Sequence, residues 1–286
     1  MSAIDFRTYP VQIKELYDHS PELRKPVLDI FGFYCSPQPM STLIRQLDAA
    51  KIDKAVLSTL DCTTAHGSAV VPNDAVARLV KGNSRLIGFA SVDPSDSDAP
   101  AALSHAVNDL GLQGLNLDPA LQRFSVSDER TAFPVYEVAN SLGIPITFQM
   151  GLNWAPLART ADGRPLDLEV VAATFPDLPI VVAHCAWPFT MEALSLAIKY
   201  RNVYLDTAIL FSGRPESSVA SVYAGQYGLD VVEASLRDKI LFASDYPRVD
   251  PKRVARAVRM MGLRPLTEKK IFGDNAASLL NRKAAK

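Results

Sequence analysis

Eight short apolar runs, rich in β-branched and aromatic residues and mostly closing on a polar side chain, recur along the 286-residue chain. They occupy residues 3–7 (AIDFR), 54–59 (KAVLST), 85–92 (RLIGFASV), 112–118 (LQGLNLD), 144–150 (IPITFQM), 179–184 (PIVVAH), 202–208 (NVYLDTA) and 239–245 (KILFASD). Between most of them lies a segment with apolar residues at helical spacing, for instance 73–82, 99–111, 132–143, 165–176 and 190–201. Near-continuous apolar strands alternating with helices require a parallel sheet covered on both faces, and eight such units match the size of a closed (β/α)₈ TIM barrel. A doubly wound open sheet is the alternative. It ordinarily carries a glycine-rich phosphate loop after its first strand, whereas RTYPVQIK (7–14) contains no glycine. No Gly/Ser linker or charge block divides the chain, so residues 1–286 read as a single α/β domain, closed by a helix around 266–281. Residues 10–50 are too long for a simple βα connection and read as an N-terminal arm or lid.

Composition narrows the partners. Thirty basic and 31 acidic side chains leave a net charge of -1, which supplies no field to gather nucleic acid or anionic lipid. No apolar window reaches the length of a membrane span, and MSAIDFRTYP has neither the basic start nor the apolar run of a signal peptide. A cytoplasmic protein is expected. Cys35, Cys62 and Cys185 are widely spaced and odd in number, which fits reduced thiols rather than disulfides or a zinc knuckle. The aromatic residues of the 10–40 arm are a candidate homodimer interface.

In a (β/α)₈ barrel, polar residues at the C-terminal ends of the strands converge on one mouth, where chemistry is placed. Here those ends carry Arg7 and Tyr9, Asn116 and Asp118, Gln149, His184, Asp206, and Ser244 with Asp245. Any one of them serves equally well as a structural bond to loop amides; six strand ends together point to a site. His184 is followed by Trp187 and Pro188, which would wall a pocket, and a histidine there can polarise a carbonyl or pass a proton. Cys185 faces the opposite way and reads as packing. The loop 151–165 adds Asn153, Trp154 and Arg159, a flat apolar surface with donors suited to a small planar carboxylated molecule. The stretch 210–226, with Arg214, is the candidate mobile lid, and Arg248 is a second cation at the mouth. Among the other histidines, His66 could reach the mouth, whereas His105 reads as surface and His19 belongs to the arm.

The strings IDFRTYP, GLQGLNLDP, IPITFQMG, DLPIVVAHCAWPF, NVYLDTA, ILFASDYP and IFGDNAASLLN, in that order from residue 3 to about 281, resemble the amidohydrolase superfamily, specifically its amidohydrolase 2 branch. That branch includes metal-dependent hydrolases, decarboxylases of the aminocarboxymuconate semialdehyde type, and metal-independent lactonases of the pyrone dicarboxylate type. The resemblance implies a metal site built from a His-x-His ending the first strand, a His ending the fifth and an Asp ending the eighth, with a His on the sixth as ligand or catalytic group. In this chain the pair is Arg7 and Tyr9 and the fifth-strand position is Gln149; only His184 and Asp245 match. A guanidinium is all donor and cannot ligate, so the divalent site reads as dismantled and no cofactor is expected.

An arginine at that point either grips a substrate carboxylate bidentately or pairs with Asp245 in a vacated cavity. Three functions remain open. The first is a metal-independent hydrolase of a small carboxylated lactone or ester. Asp245 would be its general base and His184 its second catalytic group. Arg7, Tyr9, Asn116, Gln149, Asn153, Trp154, Trp187 and Arg248 would bind its substrate. The second is a metal-assisted hydrolase or decarboxylase of an aromatic or muconate-type acid, and the third a non-catalytic binding protein whose mouth is filled by its own side chains.

Overall fold

Each of the eight apolar runs contains a strand in the computed structural model, which describes residues 2–34 and 36–281 and so leaves Cys35 outside the described residues. The strands are β1 (Ile4–Thr8), β2 (Lys54–Ser58), β5 (Leu86–Phe89), β6 (Leu115–Leu117), β7 (Ile146–Phe148), β8 (Ile180–Val182), β9 (Val203–Asp206) and β10 (Ile240–Leu241). Two further strands, β3 (Leu60–Cys62) and β4 (Ser68–Val71), form an antiparallel hairpin after β2 that the apolar pattern does not announce. A one-turn helix, Thr63–His66, interrupts the segment and breaks any alternation.

The parallel strands pair in the orders β1-β2-β5 and β10-β9-β8-β7-β6. Backbone hydrogen bonds cross both seams. Asn116 N donates to Ala90 O (2.7 Å) at one, while Phe6 N donates to Phe242 O (2.8 Å) and Asp245 N to Arg7 O (3.0 Å) at the other. Single parallel bridges, Ala90 to Leu115 and Thr8 to Tyr246, mark the same seams. The eight strands thus surround one axis as a (β/α)₈ barrel whose two seams are short bridges rather than full ladders.

Alternation along each strand sorts the side chains. Leu57, Leu117, Phe148, Val182, Leu205 and Phe242 pack outward into the main core with the helices. Ile4, Phe6, Val56, Ile87, Phe89, Val181 and Leu241 form a separate inner cluster, joined by Ala276 and Leu279 of the C-terminal helical segment Asn275–Leu280. Phe6 and Phe89 meet edge to face at 5.3 Å. A Cβ on Gly114 would stand 2.4 Å from the Phe89 ring, so only glycine lets that ring seat.

β1 departs from strict alternation. Its register against β2 shifts between Asp5 and Thr8, and such a bulge re-aims the residues that follow. Ile4 and Phe6 point inward, and simple alternation would turn Arg7 outward; instead its guanidinium reaches Asn116 on β6 and Gln149 just after β7.

Residues 10–50, expected to form an N-terminal arm or lid, pack against the main core. They fold into short helices, Lys14–His19 and Arg24–Asp29, and the barrel helix Met40–Ala50. Val11, Ile13, Leu16, Tyr17, Val27 and Phe31 are buried in the main core. Of the aromatic residues offered as a dimer surface, Tyr34 stays fully exposed, at 86%. The 210–226 stretch is anchored rather than free: Pro215, Ser218, Val219, Val222 and Tyr223 are buried, while Ser212–Arg214, Ser217, Ala220, Ser221 and residues 224–226 are exposed. Among the described residues no helix is long and apolar enough to cross a membrane.

Candidate active site

Arg7 is the hub of the mouth. It is 1% exposed. Nη1 donates to Asn116 Oδ1 (3.1 Å), and Nη2 donates to Tyr9 OH (2.9 Å) and Gln149 Oε1 (2.5 Å). Nε has no hydrogen-bond partner among the described residues and lies 3.7 Å from Asp245 Oδ1. Asn116 Nδ2 in turn donates to Thr59 O (2.8 Å) and Tyr9 OH (3.3 Å). Arg7, expected to grip a substrate carboxylate, is buried with Nη1 and Nη2 on protein oxygens, so a carboxylate reaches those donors only by displacing Asn116, Tyr9 or Gln149. Tyr9, Asn116 and Gln149, also expected to meet substrate, turn their oxygens to Arg7.

The Arg7 contact fixes Gln149 Oε1 as an acceptor, and the same oxygen lies 2.7 Å from His184 Nε2. His184 Nδ1 lies 2.6 Å from Ala208 O. Both ring nitrogens therefore face oxygen atoms, Gln149 Oε1 and Ala208 O. β8 ends at Val182, and the chain then turns sharply: His184, Cys185 and Ala186 have φ of 59°, 47° and 49°. Three consecutive left-handed residues with side chains store strain, and strain of this kind clusters at functional sites. The turn is clamped by Asp206 Oδ1, which accepts from His184 N (2.8 Å), and by the close approach of Gly151, where a Cβ would stand 2.3 Å from Ala186 and Trp187 backbone atoms. Cys185 is buried and within hydrogen-bond reach of Tyr223 OH (3.1 Å), a packed thiol pushed up to about 12 by burial. Asp245 also has a left-handed φ, of 61°.

His184 and Asp245 line a common cleft with Leu152, Trp154, Trp187, Ala208 and Leu210. Its cavity is about 10 Å³, room for one water molecule. Trp187 stacks on Phe211 at 4.4 Å and 9°. Arg248 borders the site: its Nε is 4.0 Å from Asp245 Oδ2, its Nη2 donates to Phe31 O (3.1 Å), and its guanidinium lies over the Phe31 and Phe33 rings. Asn153 instead faces Asp118, donating to both carboxylate oxygens at 2.9 and 2.7 Å. A wider groove of about 620 Å³ borrows Leu157 and Arg159 from the loop that gives Leu152 and Trp154 to the cleft, but neither His184 nor Asp245 reaches it.

Burial dominates the electrostatics. It pushes Asp5 up to about 7 against hydrogen bonds from Ser244 and the Arg7 amide, and Asp118 up to about 6. Asp206 is raised for the same reason, and Tyr9 is pushed to about 12. For Arg7, burial favours the neutral form, but Tyr9, Asp245, Asp206 and Asp118 outweigh it and hold the charge. Asp5 Oδ2, Thr147 Oγ1 and Asp206 Oδ2 are buried without a hydrogen-bond partner among the described residues. Among those residues, no three His, Cys, Asp or Glu side chains converge in a metal-holding group.

The fold thus brings Arg7, Tyr9, Asn116, Gln149, His184 and Asp245 together, and lines the cleft above them with Trp154 and Trp187. His66 does not join them, since its Nε2 contacts Leu121 O at 2.8 Å, and His105 is exposed beside Asp109. Leu152, Ala208 and Leu210 are not legible in the sequence as cleft residues, because nothing distinguishes them from ordinary loop apolar residues. Asp5 does have a signal: it stands two residues before Arg7, between the apolar Ile4 and Phe6 of the same strand.

Solved structures with this architecture include an uncharacterized TIM-barrel protein, Bb4693, from Bordetella bronchiseptica (24% identity, 98% of each chain, TM-score 0.76). A dihydroxybenzoic acid decarboxylase from Polaromonas sp. JS666, with bound manganese and the inhibitor 2-nitroresorcinol, matches over 98% of each chain (22% identity, TM-score 0.66). The 4-oxalomesaconate hydratase LigJ from Rhodopseudomonas palustris matches over 97% of this chain and 95% of its own (18% identity, TM-score 0.63). No curated protein sequence matches the chain. The amidohydrolase family model matches residues 38–282, spanning the barrel from the helix before β2 through the C-terminal helix, and the chain belongs to the amidohydrolase family.

Proposed function

We propose that the protein is a metal-independent hydrolase of a small carboxylated lactone or ester. The observation that carries this reading is the shared cleft: Asp245 and His184 face one water-sized space walled by Trp154 and Trp187. The metal-independent part rests on the donor set. Tyr9, Asn116 and Gln149 turn their oxygens to Arg7, which leaves His184 and Asp245 as the imidazole and the acid facing a cleft already backed by a guanidinium. That set does not fit a divalent ion.

In the proposed reaction Asp245 takes a proton from water, whose oxygen attacks the substrate carbonyl. The Arg7 charge behind Asp245 and the His184 N–H steady the oxyanion. The ring C–O bond then breaks, and His184 passes a proton to the departing oxygen, giving a hydroxy acid. Substrate entry parts His184 Nε2 from Gln149 and displaces Trp154, which is half exposed on the loop 151–160. Arg248, rather than the buried Arg7, meets the substrate carboxylate.

Decarboxylation of a small aromatic acid is the second reading, supported by the flat Trp187–Phe211 wall. A non-catalytic binding role is supported by the narrowness of the cleft. One screen separates the three. Carboxylated lactones, esters and aromatic acids are offered to wild type, Asp245→Asn and Arg248→Met, with hydroxy acid and carbon dioxide both assayed. Hydrolysis that vanishes in Asp245→Asn and shows a raised KM in Arg248→Met supports the first reading. Carbon dioxide release replaces it with the second, and no turnover with retained binding replaces it with the third.

A further inference from the structure

We infer that Arg7 is a tethered cation: the barrel mouth is built to hold one positive charge, and in this chain that charge is carried covalently by a side chain in place of a free metal ion. The reasoning begins with cost. Among the described residues, a guanidinium that is 1% exposed, with no hydrogen-bond partner on Nε and the Asp245 carboxylate oxygen 3.7 Å away, lacks the hydrogen-bonded acid that ordinarily compensates a buried arginine. Its direct partners are all neutral: Tyr9, Asn116 and Gln149. The compensation is instead diffuse, since Asp245, Asp206 and Asp118 all favour its charged form from a distance. One positive charge at the centre of the mouth is thus held by neutral oxygens in direct contact and by the Asp245 carboxylate 3.7 Å away.

The geometry agrees. The guanidinium joins β1 to β6 and the end of β7 by hydrogen bonds and faces the carboxylate after β10, so it cross-links parts of the barrel wall that share no ladder with β1. The bulge between Asp5 and Thr8 is what turns it inward. Every side chain that would have to ligate a metal there is already within reach of position 7: Asp245 on one side, and on the other Gln149, whose Oε1 is shared with His184. Exchanging the guanidinium for an imidazole therefore sets a second histidine beside His184 and Asp245. Those are three ligands of the kind that hold Zn²⁺ or Mn²⁺, and the exchange also removes the built-in charge that repels a cation.

The test is metal binding and stability, not turnover, so its failure is distinguishable from failure of the proposed hydrolase. Wild type and Arg7→His, both stripped with chelator, are titrated with Zn²⁺ and Mn²⁺ by calorimetry and followed by thermal melting. The expected result is about one ion per chain in Arg7→His, with a raised melting temperature, and none in wild type. Adding Asp245→Asn to Arg7→His should weaken that affinity by about 10- to 100-fold or more. An ion bound equally tightly by wild type, or by neither protein, overturns the inference. Should Arg7→His be recovered unfolded without metal, refolding on addition of Zn²⁺ is the supporting result. A companion variant, Arg7→Ala, should regain wild-type melting behaviour when ethylguanidinium is supplied and not when an equal concentration of sodium chloride is. Variants that neither a metal nor a guanidinium restores show that Arg7 acts through its shape and hydrogen bonds rather than its charge, and overturn the proposal.

Discussion

The inner face of the barrel carries two surfaces made by the same strands. Within the strands lie Ile4, Phe6, Val56, Ile87, Phe89 and Leu241, an apolar floor joined by the C-terminal helix. Toward the C-terminal ends lie Arg7, Asn116, Gln149, Asp206 and Asp245, all buried and all polar. On β10 and its continuation the two surfaces are separated only by the stretch from Leu241 to Asp245. The floor is held by area and volume, which are indifferent to partner identity and to pH. The mouth is held by hydrogen bonds between residues far apart in the chain, such as Arg7 to Asn116 and Arg7 to Gln149, each of which needs a donor and an acceptor at matched positions. In the proposed function, stability resides in the floor and chemistry in the mouth.

The sharpest way to break the comparison is to alter one residue on each surface. Asp245→Asn should lower turnover by about 10²- to 10⁴-fold, the usual effect of deleting a positioned base. Steady-state kinetics on whichever substrate the screen identifies would show this, and undiminished activity would leave the strand-end carboxylate with a structural role alone. Phe89→Ala, on the floor, should lower the unfolding free energy by about 3–5 kcal/mol in urea titrations, by the same amount at acid and neutral pH. A loss that varied with pH would mean that the two surfaces are not separable.

Titration distinguishes them next. Asp5 is pushed from 3.8 in the open chain to about 7 in the fold by burial. The folded state therefore holds its proton more tightly than the unfolded chain does. Between these values the folded state binds more protons, so stability falls as pH rises from about 4 to about 7 and levels off above, with an effect on the order of 2–4 kcal/mol. Asp118 and Asp206 are shifted the same way and add to the slope. Asp5→Asn should flatten the pH dependence in that window, and denaturation at a series of pH values would reveal a slope that persists unchanged if Asp5 is not its source. The smallest effect is expected for Asn116→Ala, which removes one acceptor from Arg7 and one donor from Thr59 O. A loss of about 1–3 kcal/mol in thermal or urea unfolding is expected from the buried groups left unpaired.

Strand identity is legible because it is local: a run such as IPITFQM declares a buried strand whatever surrounds it, and the polar residue that ends it declares the mouth. The hairpin β3–β4 is not legible, since DCTTAHGS between its halves forms a helical turn that no two-residue period describes. The 10–50 segment reads as an arm because length alone argues for an excursion, while burial of Leu16, Tyr17 and Phe31 depends on the core they meet. The site shows the same division. Arg7, Gln149, His184 and Asp245 can be gathered from strand ends, yet their roles toward each other cannot.

The sequence by itself determined the eight strands of the barrel, their order along the chain, and the polar residues, Arg7, Tyr9 and Gln149 among them, that stand at or just after their C-terminal ends. Only the tertiary structure decided that a bulge in β1 turns Arg7 inward, that Gln149 joins it to His184, and that Asp245 and His184 share a cleft the size of one water molecule. The physical reason is range. Apolar period and β-branching act between residues a few positions apart and are written in the chain, whereas a buried charge is compensated by groups distant in sequence, whose meeting exists only once the barrel has closed.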